Sequence, residues 1–164
     1  MRRRITDQVV AAFVFVGEAA RRRANYRITV VAFRVALRGT QSGSVVWADV
    51  MNRLGVAHKD QGRYADAETR YRAAQAALDD IVDPPGNLFA TLQHNFAGLA
   101  HARGEYEAGI PHARAAVKLR TSLQPPNPSA VAADEAVGFA LLLDLLRQMR
   151  FVLLSLGLPG KSEV

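Results

Sequence analysis

Four histidines are the side chains in this sequence best suited to metal binding or acid–base chemistry. His94 and His101 fall on one predicted helix, where their seven-residue spacing separates them by about 10 Å along the axis. That distance is too long for a single metal ion without further ligands, and the sequence contains no cysteine. It also contains no phosphate-binding loop, G-x-S-x-G elbow, H-E-x-x-H motif or dinucleotide-binding fingerprint. We therefore expect no metal, no cofactor and no catalytic residues, and we predict that the protein is not an enzyme.

Arginines are concentrated near the N-terminus. Residues 1–40 hold nine of them against only Asp7 and Glu18, so the whole excess of the +6 net charge lies there. Such a segment attracts nucleic acid or another polyanion, although the same arginines also fit the solvated face of a helix. The aromatic residues between them have the spacing of packing residues rather than of a base-stacking surface. Polyanion or nucleic-acid binding through this region is the alternative function, and we expect no nucleic-acid partner.

The first residues resemble a secretory signal peptide, because a basic N-terminal segment precedes an apolar run. However, Asp7 and Gln8 interrupt the approach to the run, and three arginines follow it. The run over 9–17 is also too short to cross a membrane. We predict a helix here, no membrane span and a cytoplasmic protein, which the lack of cysteine also fits.

One short pattern occurs twice. "GRYADAETRYRAAQAAL" begins at Gly62, and "GEYEAGIPHARAAVKLR" begins 42 residues later at Gly104, with Tyr64 and Tyr106 in register. Glycine accepts the left-handed backbone conformation that ends a helix, and the segment after each tyrosine has helical spacing. The pattern therefore predicts repeated helical hairpins and an all-α fold.

The residues around the first of these turns resemble a tetratricopeptide repeat. That family has W-x2-L-G-x2-Y in the first helix of a hairpin and A-x3-F in the second. The matching residues in this sequence are Met51, Leu54, Gly55, His58, Ala67 and Tyr71. The long period and the segment "LRTSLQPPNPSAVA" are similar to kinesin-light-chain-type repeats, and the resemblance is to bacterial members.

The resemblance implies a single tetratricopeptide-repeat domain over 1–164, built as an α-solenoid of about three helical hairpins. The repeats are expected at about 5–40, 45–82 and 87–124, followed by an apolar C-terminal helix at about 129–157. In the degenerate first copy, Gly17 and Phe33 take packing positions, and Gly138 takes the small-residue position of the last helix. Asn127, followed by a proline, is expected to cap that helix.

The family also implies a function. First helices of such hairpins line a concave groove that binds proteins or peptides, so we predict a non-catalytic scaffold within a larger bacterial regulatory or signalling system. Asn52 and Asn95 are expected to project into solvent there and to pair with a peptide backbone, or else to be ordinary surface residues. The predicted groove residues are Glu18, Arg21, Arg22, Asn52, Lys59, Asp60, His94, Asn95 and His101.

The C-terminal segment is apolar on nearly every side of a helix from Val137 to Leu158. One stack of helices covers only one side, so we predict that the remainder packs against a second copy, as a two-fold homodimer, or against a larger assembly. The alternative is a break near residues 148–150 that folds the segment back on itself. The predicted contact residues are Leu142, Leu146, Met149 and Leu153.

Overall fold

The computed structural model describes residues 2–123 and 127–155, which form helices and no strand. Within those ranges, no helix combines the length and the apolarity that a membrane span requires. The all-α prediction is confirmed. In chain order the helices are α1 (Arg2–Arg22), α2 (Tyr26–Arg38), α3 (Val45–Asp60), α4 (Tyr64–Asp79), α5 (Gly86–Arg103), α6 (Tyr106–Ser122) and α7 (Pro128–Ser155).

The helices stack in a line. α1 packs on α2, α3 on α4 and α5 on α6, and each of these hairpins packs on the helix that follows it. We call α1, α3, α5 and α7 the first helices, and α2, α4 and α6 the second helices. Because each hairpin contacts only its neighbours, the architecture is a solenoid, and α7 occupies the place of a fourth first helix.

The three hairpin turns share one backbone conformation. Gly62 and Gly104 have φ of 72° and 74°, as the sequence predicted, and Ala24 takes the same left-handed conformation with φ of 54°. In each turn the next amide donates to the carbonyl five residues earlier, as from Arg63 to His58 at 2.9 Å. This bond satisfies carbonyls that the helix end leaves free and sets the angle of the hairpin.

The first two hairpins close on a glycine–aromatic contact. A Cβ atom on Gly55 would lie 2.5 Å from Cε1 of Tyr71, and one on Gly17 would lie 2.5 Å from Cε1 of Phe33. Both rings are fully buried. The packing positions predicted from the repeat are therefore confirmed in both hairpins.

The third hairpin has alanine where the first two have the glycine and the aromatic residue, and a leucine of α7 packs against these alanines. Leu141 of α7 is fully buried against Ala97 and Ala113, and a Cβ on Gly109 would lie 2.7 Å from its Cδ2. Gly138 faces α6, since a Cβ there would meet Ala113 at 3.5 Å. The prediction for Gly138 was wrong: it faces the preceding second helix instead of providing a close approach for a following one.

α7 begins after Asn127, whose Oδ1 accepts a hydrogen bond from the amide of Ala130 at 3.2 Å, as the capping prediction requires. The helix continues without interruption through residues 148–150 to Ser155. The alternative of a break at that point is therefore wrong.

Candidate partner-binding surface

Most of the predicted groove residues form bonds between neighbouring first helices. Between α1 and α3, Glu18 accepts from Arg53 at 2.9 Å, and Arg21 donates to Asp60 at 3.1 Å. Arg21 also pairs with Glu18 at 3.2 Å, which joins the two contacts into one network. Three of these four residues were predicted from the sequence, whereas Arg53 was missed, because nothing in its local pattern indicates that it reaches α1.

Asn52 and Asn95 lie between α3 and α5. The Nδ2 of Asn95 donates to Oδ1 of Asn52 at 2.8 Å, and the residues are only 9% and 3% exposed. The prediction that they project into solvent was wrong. They are buried because adjacent first helices lie side by side, so a position that faces the next repeat is covered by it. Inside such a contact, each amide supplies the hydrogen-bond partner that the other has lost to burial.

His94 binds α7 rather than facing an open groove. Its Nδ1 lies 2.7 Å from Oδ1 of Asp134, and Arg120 of α6 donates from Nε to the other carboxylate oxygen at 2.5 Å. Arg120 also donates to the hydroxyl of Thr91 at 3.1 Å. Asp134 is 1% exposed, so this buried carboxylate joins the last three helices through opposite charge and hydrogen bonds.

His101 makes a second contact with α7, nearer to its C-terminal end. Its Nε2 lies 2.9 Å from Oδ2 of Asp144, and Arg147 donates to the other oxygen of that carboxylate. Hydrogen bonds from Arg147 and His101 lower the pKa of Asp144 below its ordinary value. The two predicted groove histidines therefore position α7 on α5, each through one aspartate.

Two predicted groove residues remain available. Arg22 is exposed, and Lys59 is partly exposed and lies over Gly98, with Nζ 3.4 Å from where a Cβ would stand. Neither has an ion-pair partner among the residues that the structure describes. We call the nine predicted groove residues together the first-helix surface. In it, the seven residues other than Arg22 and Lys59 are already paired with a described side chain.

A row of large apolar side chains runs along the outer face of α7. We call Phe139, Leu142, Leu146 and Met149 the α7 stripe; they are 67%, 44%, 52% and 54% exposed. Buried Leu141 points the opposite way, toward the stack. Three stripe residues were predicted as assembly contacts, whereas the side chain of Leu153, the fourth predicted contact, lies outside the described residues. Phe139 was missed, although its spacing from Leu142 continues the row.

The stripe borders an open groove between α6 and α7. The groove has a volume of about 430 Å³. Its lining contains the apolar residues Ile110, Ala113, Val117, Gly138, Phe139 and Leu142 and the charged residues Arg114, Lys118, Asp134 and Glu135.

The remaining histidines serve packing. His58 is 1% exposed at the aromatic position of the second repeat, and burial lowers its pKa below the ordinary value. Burial also lowers the pKa of His112, whose Nδ1 lies 2.7 Å from Oε1 of Gln93. In the described ranges, no three histidine, aspartate or glutamate side chains form a group that could hold a metal ion.

Comparison with known proteins agrees with this architecture. Residues 47–74 match the family model described as a tetratricopeptide repeat. They cover most of α3 and most of α4, including the contact between Gly55 and Tyr71. No curated protein matches the sequence.

Proposed function

Because this chain is a tetratricopeptide repeat protein, we propose that it is a non-catalytic module that binds protein chains. Repeats of this family generally mediate protein–protein interaction. The observation that carries the proposal is the exposure of the α7 stripe, four large apolar side chains that are 44–67% exposed. Contiguous exposed apolar surface of this kind marks interaction sites in soluble proteins.

The first-helix surface is the second proposed contact, for a polar or acidic peptide segment. Lys59 and Arg22 offer cationic groups, and the His101 side chain is 41% exposed beside its aspartate partner. The bonds between first helices support this proposal, because they hold the polar groups in fixed positions before a partner arrives. The cytoplasmic location and the bacterial regulatory setting are also proposals, and they rest on the family resemblance and the absence of cysteine.

Polyanion binding is not advanced as a second function. Arg21 is engaged by Glu18 and Asp60, which reduces the free positive charge at the end of α1. The side chains of residues 2–4 lie outside the described part of the chain. Among the described side chains, no contact favours a nucleic acid over a protein.

The test compares proteins captured by the immobilised chain and by surface variants, using quantitative mass spectrometry. Leu146→Glu alters the α7 stripe, and Lys59→Glu alters the first-helix surface. Val82→Glu is the control, because Val82 is 95% exposed and belongs to neither surface. We expect a set of proteins that one surface variant loses and the control retains, followed by direct binding of a purified member. Identical capture by all variants would contradict the proposal.

A further inference from the structure

The groove between α6 and α7 has a counterpart one repeat earlier, and that counterpart is covered. Between α4 and α5, the ring of Phe96 is stacked by His112 of α6, with 5.1 Å between ring centroids. His112 also contacts Gln93 at 2.7 Å. In the third repeat, the second helix α6 therefore covers the groove between α4 and α5.

In α7, the residues 42 positions after Gln93 and Phe96 are Glu135 and Gly138. Both line the open groove between α6 and α7. Phe139 and Leu142 beside them remain 67% and 44% exposed, because the described chain places no second helix over α7. The groove and the stripe thus form an uncovered surface on α7, at the place where a second helix packs in the preceding repeats.

The α7 stripe has the spacing of a two-helix seam. Its residues follow one another at intervals of three, four and three, which is the pattern of apolar positions in a coiled coil. The intervals read the same in both directions. An antiparallel copy of α7 therefore sets Phe139 against Met149 of the other chain, and Leu142 against Leu146, with each pair occurring twice.

We propose that the occupant of this position is α7 of a second copy of the chain, related by a two-fold axis perpendicular to the helix. This specifies the partner of the α7 stripe and so rests on the proposed function. Such an axis makes the two α7 helices antiparallel, as the two helices of each hairpin are. The partner helix then takes the place of the second helix that α7 lacks, and the contact closes on itself as an isologous interface.

The available area fits a small dimer interface. With Leu143, which is 52% exposed, the stripe offers on the order of 500 Å² of apolar surface per chain. Two chains together bury on the order of 1,000 Å² from these side chains alone, the lower bound for a specific interface. The walls of the groove add to that figure. We therefore expect a dimer that forms at micromolar concentration and dissociates on dilution.

The first test measures molar mass by sedimentation velocity and light scattering from about 1 to 100 μM, with circular dichroism to monitor folding. Leu146→Glu places a charge in the centre of the seam on a side chain that the monomer leaves exposed. We expect a folded protein whose dimer dissociation constant is raised about 100-fold or more. Phe15→Glu is the matched control, since Phe15 is a 69% exposed apolar residue of α1, and it should leave the dimer unchanged.

The second test determines orientation by disulfide cross-linking, which the absence of native cysteine makes specific. Leu142→Cys and Leu146→Cys are oxidised separately and as a mixture. Antiparallel pairing predicts that the mixed dimer cross-links faster than either variant alone, because the two positions face each other. Faster cross-linking of like positions would overturn the proposed register.

A wild-type chain that stays monomeric at every concentration, or a Leu146→Glu variant that remains a full dimer, would overturn the dimer. Either result is distinct from failure of the proposed function, because the capture experiment measures which other proteins bind and also includes Lys59→Glu, whereas the dimer is detected by its molar mass. The wild-type chain could also be monomeric while the Leu146→Glu variant no longer captures a protein that the wild type captures. That result would exclude a second copy as the occupant, but the stripe would still be a protein-binding surface.

Discussion

At Gly55, helices α3 and α4 approach so closely that a single added carbon would contact the ring of Tyr71 at 2.5 Å. Gly55→Ala should therefore destabilise the protein by about 1–3 kcal/mol, although alanine is the better helix former. Gly138→Ala is the matched control, because a Cβ there meets its neighbour at an ordinary 3.5 Å. It should be neutral or stabilising by up to about 1 kcal/mol. Urea unfolding of both variants measures the difference, and equal effects would contradict the packing.

Backbone strain at the hairpin turns predicts opposite effects for two substitutions. Ala24 has φ of 54°, a conformation that disfavours a side chain, whereas Gly62 takes the equivalent conformation at the next turn. Ala24→Gly should raise the free energy of unfolding, and Gly62→Ala should lower it, each by about 1 kcal/mol. A Cβ on Gly62 has no neighbour within 4 Å, so its effect reports conformation alone. Thermal unfolding of the two variants should shift in opposite directions; a shift of the same sign would argue against strain.

The contrast between glycines and asparagines shows what could be predicted from sequence for single residues. Gly55 and Tyr71 were recognised because a close helix contact tolerates few residue types, and those types recur at fixed spacing. Asn52 and Asn95 have no such restriction: a polar residue on a first helix fits an open surface and a paired contact equally well. Their burial depends on the lateral spacing of α3 and α5, which local sequence does not encode.

Between elements, the pair of buried asparagines provides a direct measure of coupling between repeats. Asn52→Ala and Asn95→Ala should each destabilise the protein by about 1–3 kcal/mol, because each leaves the other amide buried without a partner. The double variant should lose less than the sum of the two, since no unpaired amide remains. Chemical unfolding of the wild type, the two single variants and the double variant gives the coupling energy as a double-mutant cycle. Additive effects would indicate that the hydrogen bond does not couple the helices.

The helices themselves could be predicted well, because their starts and ends have local signals. The glycine turns and the Asn127 cap fixed boundaries to within a few residues of those observed. α7 was harder: its apolar run has no internal stop signal, so one helix and two helices both fitted. The register of Gly138 was also wrong, because the third hairpin replaces the glycine–aromatic pair with alanines and so provides no reference for the next repeat.

For the whole molecule, the linear stack makes the two ends unlike the middle. Central hairpins are covered on both sides, whereas terminal helices expose apolar side chains. Phe15 of α1 and Val31 of α2 are 69% and 60% exposed at one end, and Phe139 of α7 is 67% exposed at the other. These exposed apolar side chains favour packing against another protein surface. At the α7 end, the side chains of the α7 stripe have the regular spacing that fits a partner helix. Sequence composition indicated this excess of apolar residues, but only the packing showed which face remained open.

This asymmetry predicts a gradient of local stability. α5 contributes seven buried residues and contacts neighbours on both sides. In the described part of α7, the buried side chains are Asp134 and Leu141. Because each repeat is stabilised mainly by its neighbours, opening should begin at an end and reach the centre last. Amide hydrogen exchange followed by mass spectrometry should therefore find the slowest exchange in α4 and α5, and the fastest helical exchange in α7 beyond Leu141.

Protein concentration gives the same experiment a second readout. If α7 pairs with another copy, its exchange should slow as the concentration rises, while α4 and α5 change little. The Leu146→Glu variant should show the gradient at every concentration, because it cannot form the seam. Uniform protection along the chain, with all helices opening together, would contradict nearest-neighbour stabilisation. The solenoid would then unfold as one cooperative unit despite its linear contacts.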